Sequence, residues 1–178
     1  MSRSLLLVLL CFSFSVGHSQ SYLGWVTTQV NFREGPGTNT KVMGTLPEGT
    51  QIFIISAVPV NDFISIIDIA TNKEGYVSRT FVKQGDLIQV SQGGTFQPTG
   101  ETAAYEPEIK IYNNTDKTLT LLMNEVIYTF HSRERKSLKL NPGMYKYRAS
   151  APGVIPDLGV ERLENNRGYE WEFYIVSR

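Results

Sequence analysis

The chain has 178 residues, 41% of them hydrophobic, and 17 basic side chains balance 17 acidic ones. That neutrality excludes the basic footprint of a nucleic-acid binder, and the length allows two small domains. A single cysteine, Cys11, excludes an intrachain disulfide framework.

In chain order, the first element is a leader. Arg3 supplies a short positive region, Leu5 to Val16 is almost wholly apolar, and Gly17-His18-Ser19 offers small residues for a signal peptidase. Cleavage is expected after Ser19, which makes residues 1–19 a signal peptide and the protein exported, periplasmic or extracellular. The apolar run falls short of the roughly 20 residues that cross a bilayer, so no membrane span is expected after cleavage. Cys11 follows Leu9-Leu10 rather than a small residue, which argues against lipid attachment. Its loss with the leader leaves no thiol nucleophile and no cysteine metal ligand, so stability must come from packing.

Short strands follow. Tyr22 to Val30 leads into Asn31–Gly37 (NFREGPG), a strand ending fused to a Gly-Pro-Gly turn. Val42 to Leu46 and Gln51 to Val58 flank the Pro47-Glu48-Gly49 turn, Phe63 to Ile69 precedes a loop at Thr71–Gly75, and EGYVSRTFV ends at Val82. Strands of about five residues joined by such turns predict a curled, barrel-like sheet.

In that order NFREGP, GTLPEGT, FISIIDI and EGYV resemble the strand-turn, turn, central strand and closing strand of the bacterial SH3-like (SH3b) domain, over roughly Leu23 to Lys83. Phe63 stands where the family usually has Trp, Glu34 where it has Ser, and Tyr76 holds the closing aromatic position. The resemblance implies a bacterial protein and a wall-targeting or peptide-binding module, with Arg33, Tyr76, Phe63 and Phe81 as the candidate ligand-binding residues beside Phe32. Aromatic faces would pack on peptide or sugar while Arg33 bonds a carbonyl or carboxylate. The plainer reading places Phe32 and Phe63 in the core and gives Arg33 the task of tying down its turn.

From Ser91 to Pro107 the composition shifts to Gly, Pro, Thr and Gln, which predicts a linker. The expected divisions are 20–90 for the SH3b-like domain, 91–107 for the linker and 108–178 for a second domain. In the latter Ile109/Ile111 and Leu119/Leu121 alternate with polar neighbours, and Met123-Asn124-Glu125-Val126 predicts a two-residue hairpin connection. Leu138 and Leu140, the Asn141-Pro142-Gly143 turn, and Tyr145, Tyr147 and Ala149 predict a second hairpin. A last strand puts Trp171, Phe173 and Ile175 opposite Glu170, Glu172 and Tyr174. About seven strands with no helical period predict a small β-sandwich, so the fold class is all-β: an SH3-like barrel followed by a β-sandwich. The run LKLNPGMYKYRASAPG is also similar to PEGA-like accessory modules, which implies a spacer or contact surface.

Catalytic chemistry finds little footing. A cysteine peptidase needs Cys and His, and an amidase needs zinc ligands, yet the processed chain keeps one histidine, His131, and no G-x-S-x-G elbow. Glu106/Glu108 and Glu170/Glu172 have the spacing of a solvated strand face rather than of a glycosidase pair. The basic residues Arg133, Arg135, Lys136, Lys139, Lys146 and Arg148 read likewise as a solvated face, interrupted by Glu134. Asn113-Asn114-Thr115 matches a glycosylation sequon, which matters only in a eukaryotic secretory pathway.

The sequence therefore predicts no enzyme and no cofactor or metal. It predicts an exported binding protein whose SH3b-like half holds peptidoglycan, at its stem peptide or cross-bridge, while the second half positions it or contacts a partner. The rival reading is an envelope protein-assembly adaptor that binds a protein without wall affinity.

Overall fold

A computed structural model describes residues 20–175 and builds them from β-strands and one short 3-10 turn; the expected leader, residues 1–19, lies outside the described residues. Strands β1 (Tyr22–Val26), β2 (Val30–Arg33), β3 (Val42–Leu46), β4 (Gln51–Val60), β5 (Phe63–Asp68), β6 (Lys73–Ser78) and β7 (Val82–Leu87) form one sheet in the order β3-β2-β6-β5-β4-β1-β7. Six of these strands send buried side chains into a common core of Val26, Val30, Phe32, Leu46, Ile52, Ile54, Ile64, Ile66 and Val77, and Val82 of β7 packs on it. One sheet can surround one core only by curling on itself. The barrel stays open, since among the described residues no ladder joins β3 to β7. Gly75 is needed where β6 passes β2, because a Cβ there would run into the Met43 methyl, the Phe32 ring and the Arg33 carbonyl.

The remaining strands form two further sheets. Strands β8 (Val90–Gln92), β9 (Gln97–Glu101), β10 (Glu108–Asn113), β11 (Leu119–Met123), β12 (Val126–Phe130), β13 (Arg135–Lys139), β14 (Gly143–Ser150), β15 (Asp157–Leu163) and β16 (Arg167–Phe173) are ordered β13-β10-β16-β9 and β12-β11-β14-β15-β8. Ile109, Ile111, Tyr169 and Phe173 from the first meet Leu119, Leu121, Met123, Phe130, Tyr147, Ala149 and Leu163 from the second in one buried cluster, as a sandwich requires. The Met123–Val126 connection is the predicted two-residue turn, with Asn124 at φ 52°.

Two local expectations fail for physical reasons. Ser91–Pro107 is not a plain loop: β8 pairs with β15 and β9 with β16. Both are edge strands whose residues are all exposed, so neither needed the apolar side chains by which a strand is recognised. The link between them is anchored from below, where the buried Glu161 carboxylate accepts the Thr95 N–H at 2.6 Å and Phe96 enters the core. The second hairpin does not form either. β13 pairs with β10 and β14 with β11 and β15, so Asn141-Pro142-Gly143 carries the chain across from one sheet to the other. Leu138 and Leu140 face Tyr145 and Tyr147 across the core rather than along a ladder, and alternation is the same in both cases.

The halves are packed together. In β4 and β5 the residues between the inward isoleucines also point at protein: Phe53, Ile67 and, just beyond β5, Ile69 are buried on the outward face of the curled sheet against Leu23, Ile55, Ile88 and, from β15, Leu158. Gly153 N–H donates to the Ile69 carbonyl at 2.7 Å, Asn72 Nδ2 to Thr120 Oγ1 at 3.3 Å, and Arg148 pairs with Glu74 at 2.6 Å. Burial on both faces accounts for the unbroken apolar reading of QIFII and FISII. Ile67→Ala is expected to cost about 2–4 kcal/mol. The shared cluster should also make the protein melt in one calorimetric transition, and two resolved transitions would contradict that coupling.

A polar knot closes the other side of the sandwich. The Tyr147 hydroxyl lies 2.7 Å from Thr95 Oγ1 and donates to Asp157 Oδ2 at 3.2 Å, while its ring lies across Gly159, where any Cβ would overlap it. Burial pushes the phenol up to about 12, and the nearby Asp157 and Glu161 carboxylates add to the shift against the Thr95 bond. Because the folded pKa lies above the unfolded value of 10.0, this contribution to stability is complete below pH 10 and is lost as pH rises towards about 12. Tyr147→Phe should therefore lower stability at neutral pH by about 1 kcal/mol and remove its share of the alkaline fall. Denaturant midpoints across that range check this, and an unchanged fall in the variant would contradict it.

Candidate functional site

The curled sheet leaves part of its outward face open. In β2 Val30 and Phe32 point inward, so Arg33 points out; in β6 Gly75 and Val77 are inward and Tyr76 outward; in β5 Ile64 and Ile66 are inward and Ser65 outward. Register then aligns them. Arg33 is opposite Tyr76 and Tyr76 opposite Ser65, so the three stand in one row across adjacent strands about 4.8 Å apart. The next row, Ile67 with Glu74, lies at the contact with the sandwich through the Ile67 cluster and the Glu74–Arg148 pair. The row above it is half-buried and faces no part of the apolar interface cluster.

Arg33 also shapes the turn that it enters. Its Nη1 donates to the Thr40 carbonyl at 2.8 Å, and Thr40 Oγ1 shares its proton between the Gly35 and Gly37 carbonyls, each at 2.8 Å. Glu34 and Lys41 pair at 2.8 Å across the mouth of the loop, and Asn61 Nδ2 donates to the Pro36 carbonyl at 3.2 Å from the β4–β5 tip. One guanidinium bond is thus structural. Among the described residues no further partner engages the other N–H groups of the fork, which leaves them available to a ligand.

The other expected site residues are placed differently. Phe32 is buried in the core, and Phe63, although outward by position, is only 7% exposed, too little to offer a ring to a ligand. Phe81 is 39% exposed in the 3-10 turn at Arg79–Phe81, past the end of β6 and outside the row. Ser65 was not anticipated. Its signal was available, because it is the polar residue that interrupts the outward positions of FISII, where Phe63 and Ile67 stand on either side.

Elsewhere the candidates disperse. Ser132 donates to the Thr115 carbonyl at 3.0 Å rather than to His131, and the His131 backbone N–H donates to the Glu134 carboxylate at 2.6 Å, which with Lys136 holds the Glu134 carboxyl below its usual range. The six basic residues form no single patch: Arg135, Lys136 and Lys139 lie on β13, whereas Lys146 and Arg148 lie on β14 in the opposite sheet. Asn113 of the sequon is fully buried, its amide donating to the Lys117, Phe130 and His131 carbonyls, so the folded chain offers no acceptor nitrogen there.

Among the described residues no helix is long and apolar enough to cross a membrane. No curated protein matches the chain. A solved structure that resembles it is NlpC1 from Trichomonas vaginalis, at 13% identity and a TM-score of 0.33, over 85% of this chain and 48% of that one; the chain thus spans about half the length of that protein. The family model of the bacterial SH3 domain matches residues 28–83. The segment that holds β2 to β6 and the Arg33–Tyr76–Ser65 row is a bacterial SH3 domain.

Proposed function

We propose that this is an exported, non-catalytic binding protein whose SH3 half holds peptidoglycan through the Arg33–Tyr76–Ser65 row, while the sandwich positions that half or contacts a partner. The observation that carries the reading is the direct opposition of Arg33 and Tyr76 on the part of the SH3 face that the apolar interface leaves open. A peptide laid along β6 would find a phenol ring to pack on, a guanidinium for a carboxylate or carbonyl, and the Ser65 hydroxyl beside them. The bacterial SH3 match supports a wall-facing module, and the leader from Arg3 to Ser19 supports export. The absence of cysteine after the leader and the engagement of the Ser132 hydroxyl by the Thr115 carbonyl support a role without turnover.

Co-sedimentation with purified peptidoglycan sacculi tests the reading, using the chain from Gln20 onward. Tyr76→Ala should weaken binding about tenfold, equivalent to about 1.4 kcal/mol, with the melting temperature little changed. Arg33→Ala should weaken it at least as much, with circular dichroism showing that the sheet survives loss of the Thr40 tie. Folded wild-type protein that stays in the supernatant would sink wall binding and favour a protein partner.

A further inference from the structure

The outward face of the β13-β10-β16-β9 sheet is a shallow concavity of about 670 Å³. Its side chains are fixed by alternation: with Ile109, Ile111, Leu138, Tyr169 and Phe173 turned to the core, Lys110, Tyr112, Arg135, Glu170 and Glu172 are turned outward. Register sorts them by charge. Arg135 on β13 is opposite Tyr112 on β10, which is opposite Glu172 on β16, and Lys110 is opposite Glu170 in the neighbouring row. The cations of β13 and β10 therefore lie to one side of the carboxylates of β16, and Tyr112 stands between Arg135 and Glu172.

These charges are not spent on one another. The Arg135 guanidinium stacks 3.8 Å from the centre of the Tyr112 ring, which holds it in place without neutralising it. Lys110 and Glu170 are cross-strand neighbours, yet no ion pair joins them, and neither side chain has a hydrogen-bond partner among the described residues. Glu172 accepts a bond from Asn114 Nδ2 at 2.6 Å, and among the described residues no cation pairs with it.

We propose that this face binds a short peptide with a free amino and a free carboxyl end, about three residues long. Its carboxylate sits at Arg135 on β13, its backbone crosses β10 beside Tyr112 and Lys110, and its ammonium group sits between Glu170 and Glu172. The lengths agree: β13 and β16 are two strand spacings apart, about 10 Å, and three extended residues span about 10 Å. Charge selects against the alternatives. A polyanion meets the two carboxylates, a polycation meets Arg135 and Lys110, and an uncharged glycan leaves all four charges partly desolvated without an opposite partner.

Amide chemical-shift titration of the chain from Gln20 onward with trialanine, at low salt, tests this site apart from the SH3 row. Saturable shifts should map to β10, β13 and β16. N-acetyl trialanine and trialanine amide should each bind at least fivefold more weakly, and added salt should weaken the free-ended peptide. Glu170→Gln with Glu172→Gln, and separately Lys110→Gln with Arg135→Gln, should abolish the shifts; all four residues are exposed, so folding is not at stake. Tyr76→Ala should leave the titration unchanged, which makes it independent of wall binding. The proposal is overturned if trialanine gives no shifts, if the capped peptides bind equally well, if the shifts map to the SH3 row, or if polyphosphate saturates the face and still does so in the Glu→Gln variant.

Discussion

The structure depends on the apolar contact made by the outward sides of β4 and β5. Phe53, Ile67 and Ile69 would be a hydrophobic stripe on the surface of a free SH3 domain, and a stripe of that kind must be covered. Leu158, Ile88 and the hydrogen bonds around Ile69 and Asn72 cover it. Each half is near the size at which a lone core is marginal, so burying a second face adds area where it is scarce. With no disulfide within the described residues to help, that added area is what lets two small β units stand together.

The same contact defines the candidate site by what it leaves open. Outward positions of the SH3 sheet are divided between residues that the sandwich covers and residues that it does not, and the open share holds Arg33, Tyr76 and Ser65. Arg33 serves both purposes at once, since one nitrogen steadies the turn at Thr40 and the rest of the fork has no partner among the described residues. A residue tied in this way is preorganised, so little side-chain entropy remains to be lost when a ligand arrives.

Much of the fold was legible because it rests on local pattern. Alternation located the core strands of both halves, the glycine-proline turns located the SH3 motif, and Met123 to Val126 gave its hairpin. What was not legible rests on partners distant in sequence. Ser91–Pro107 looked like a linker because edge strands that bury nothing leave no apolar trace, and Asn141–Gly143 looked like a hairpin because strands facing one another across a core alternate just as paired strands do. In the site, Arg33 and Tyr76 could be named from motif, but Phe63 could not be judged buried and Ser65 could not be aligned with them until register was known. On the graded face, Glu170 and Glu172 had been read from the sequence as an acidic pair and Arg135 as part of a basic run, while Lys110 belonged to neither. Only the pairing of β10 with β13 on one side and, in parallel, with β16 on the other joins them.

That parallel pairing also bears on how the chain is made. β16 follows every other described strand in sequence, yet it occupies an interior place in its sheet, between β10 and β9. Until residues 167–173 have been added, β10 and β9 have no neighbour on that side and the sandwich core lacks Tyr169 and Phe173. The SH3 half has all of its strands long before then. The sandwich is consequently held incomplete through most of synthesis, and its two sheets close on a full core only when this strand enters the gap kept for it.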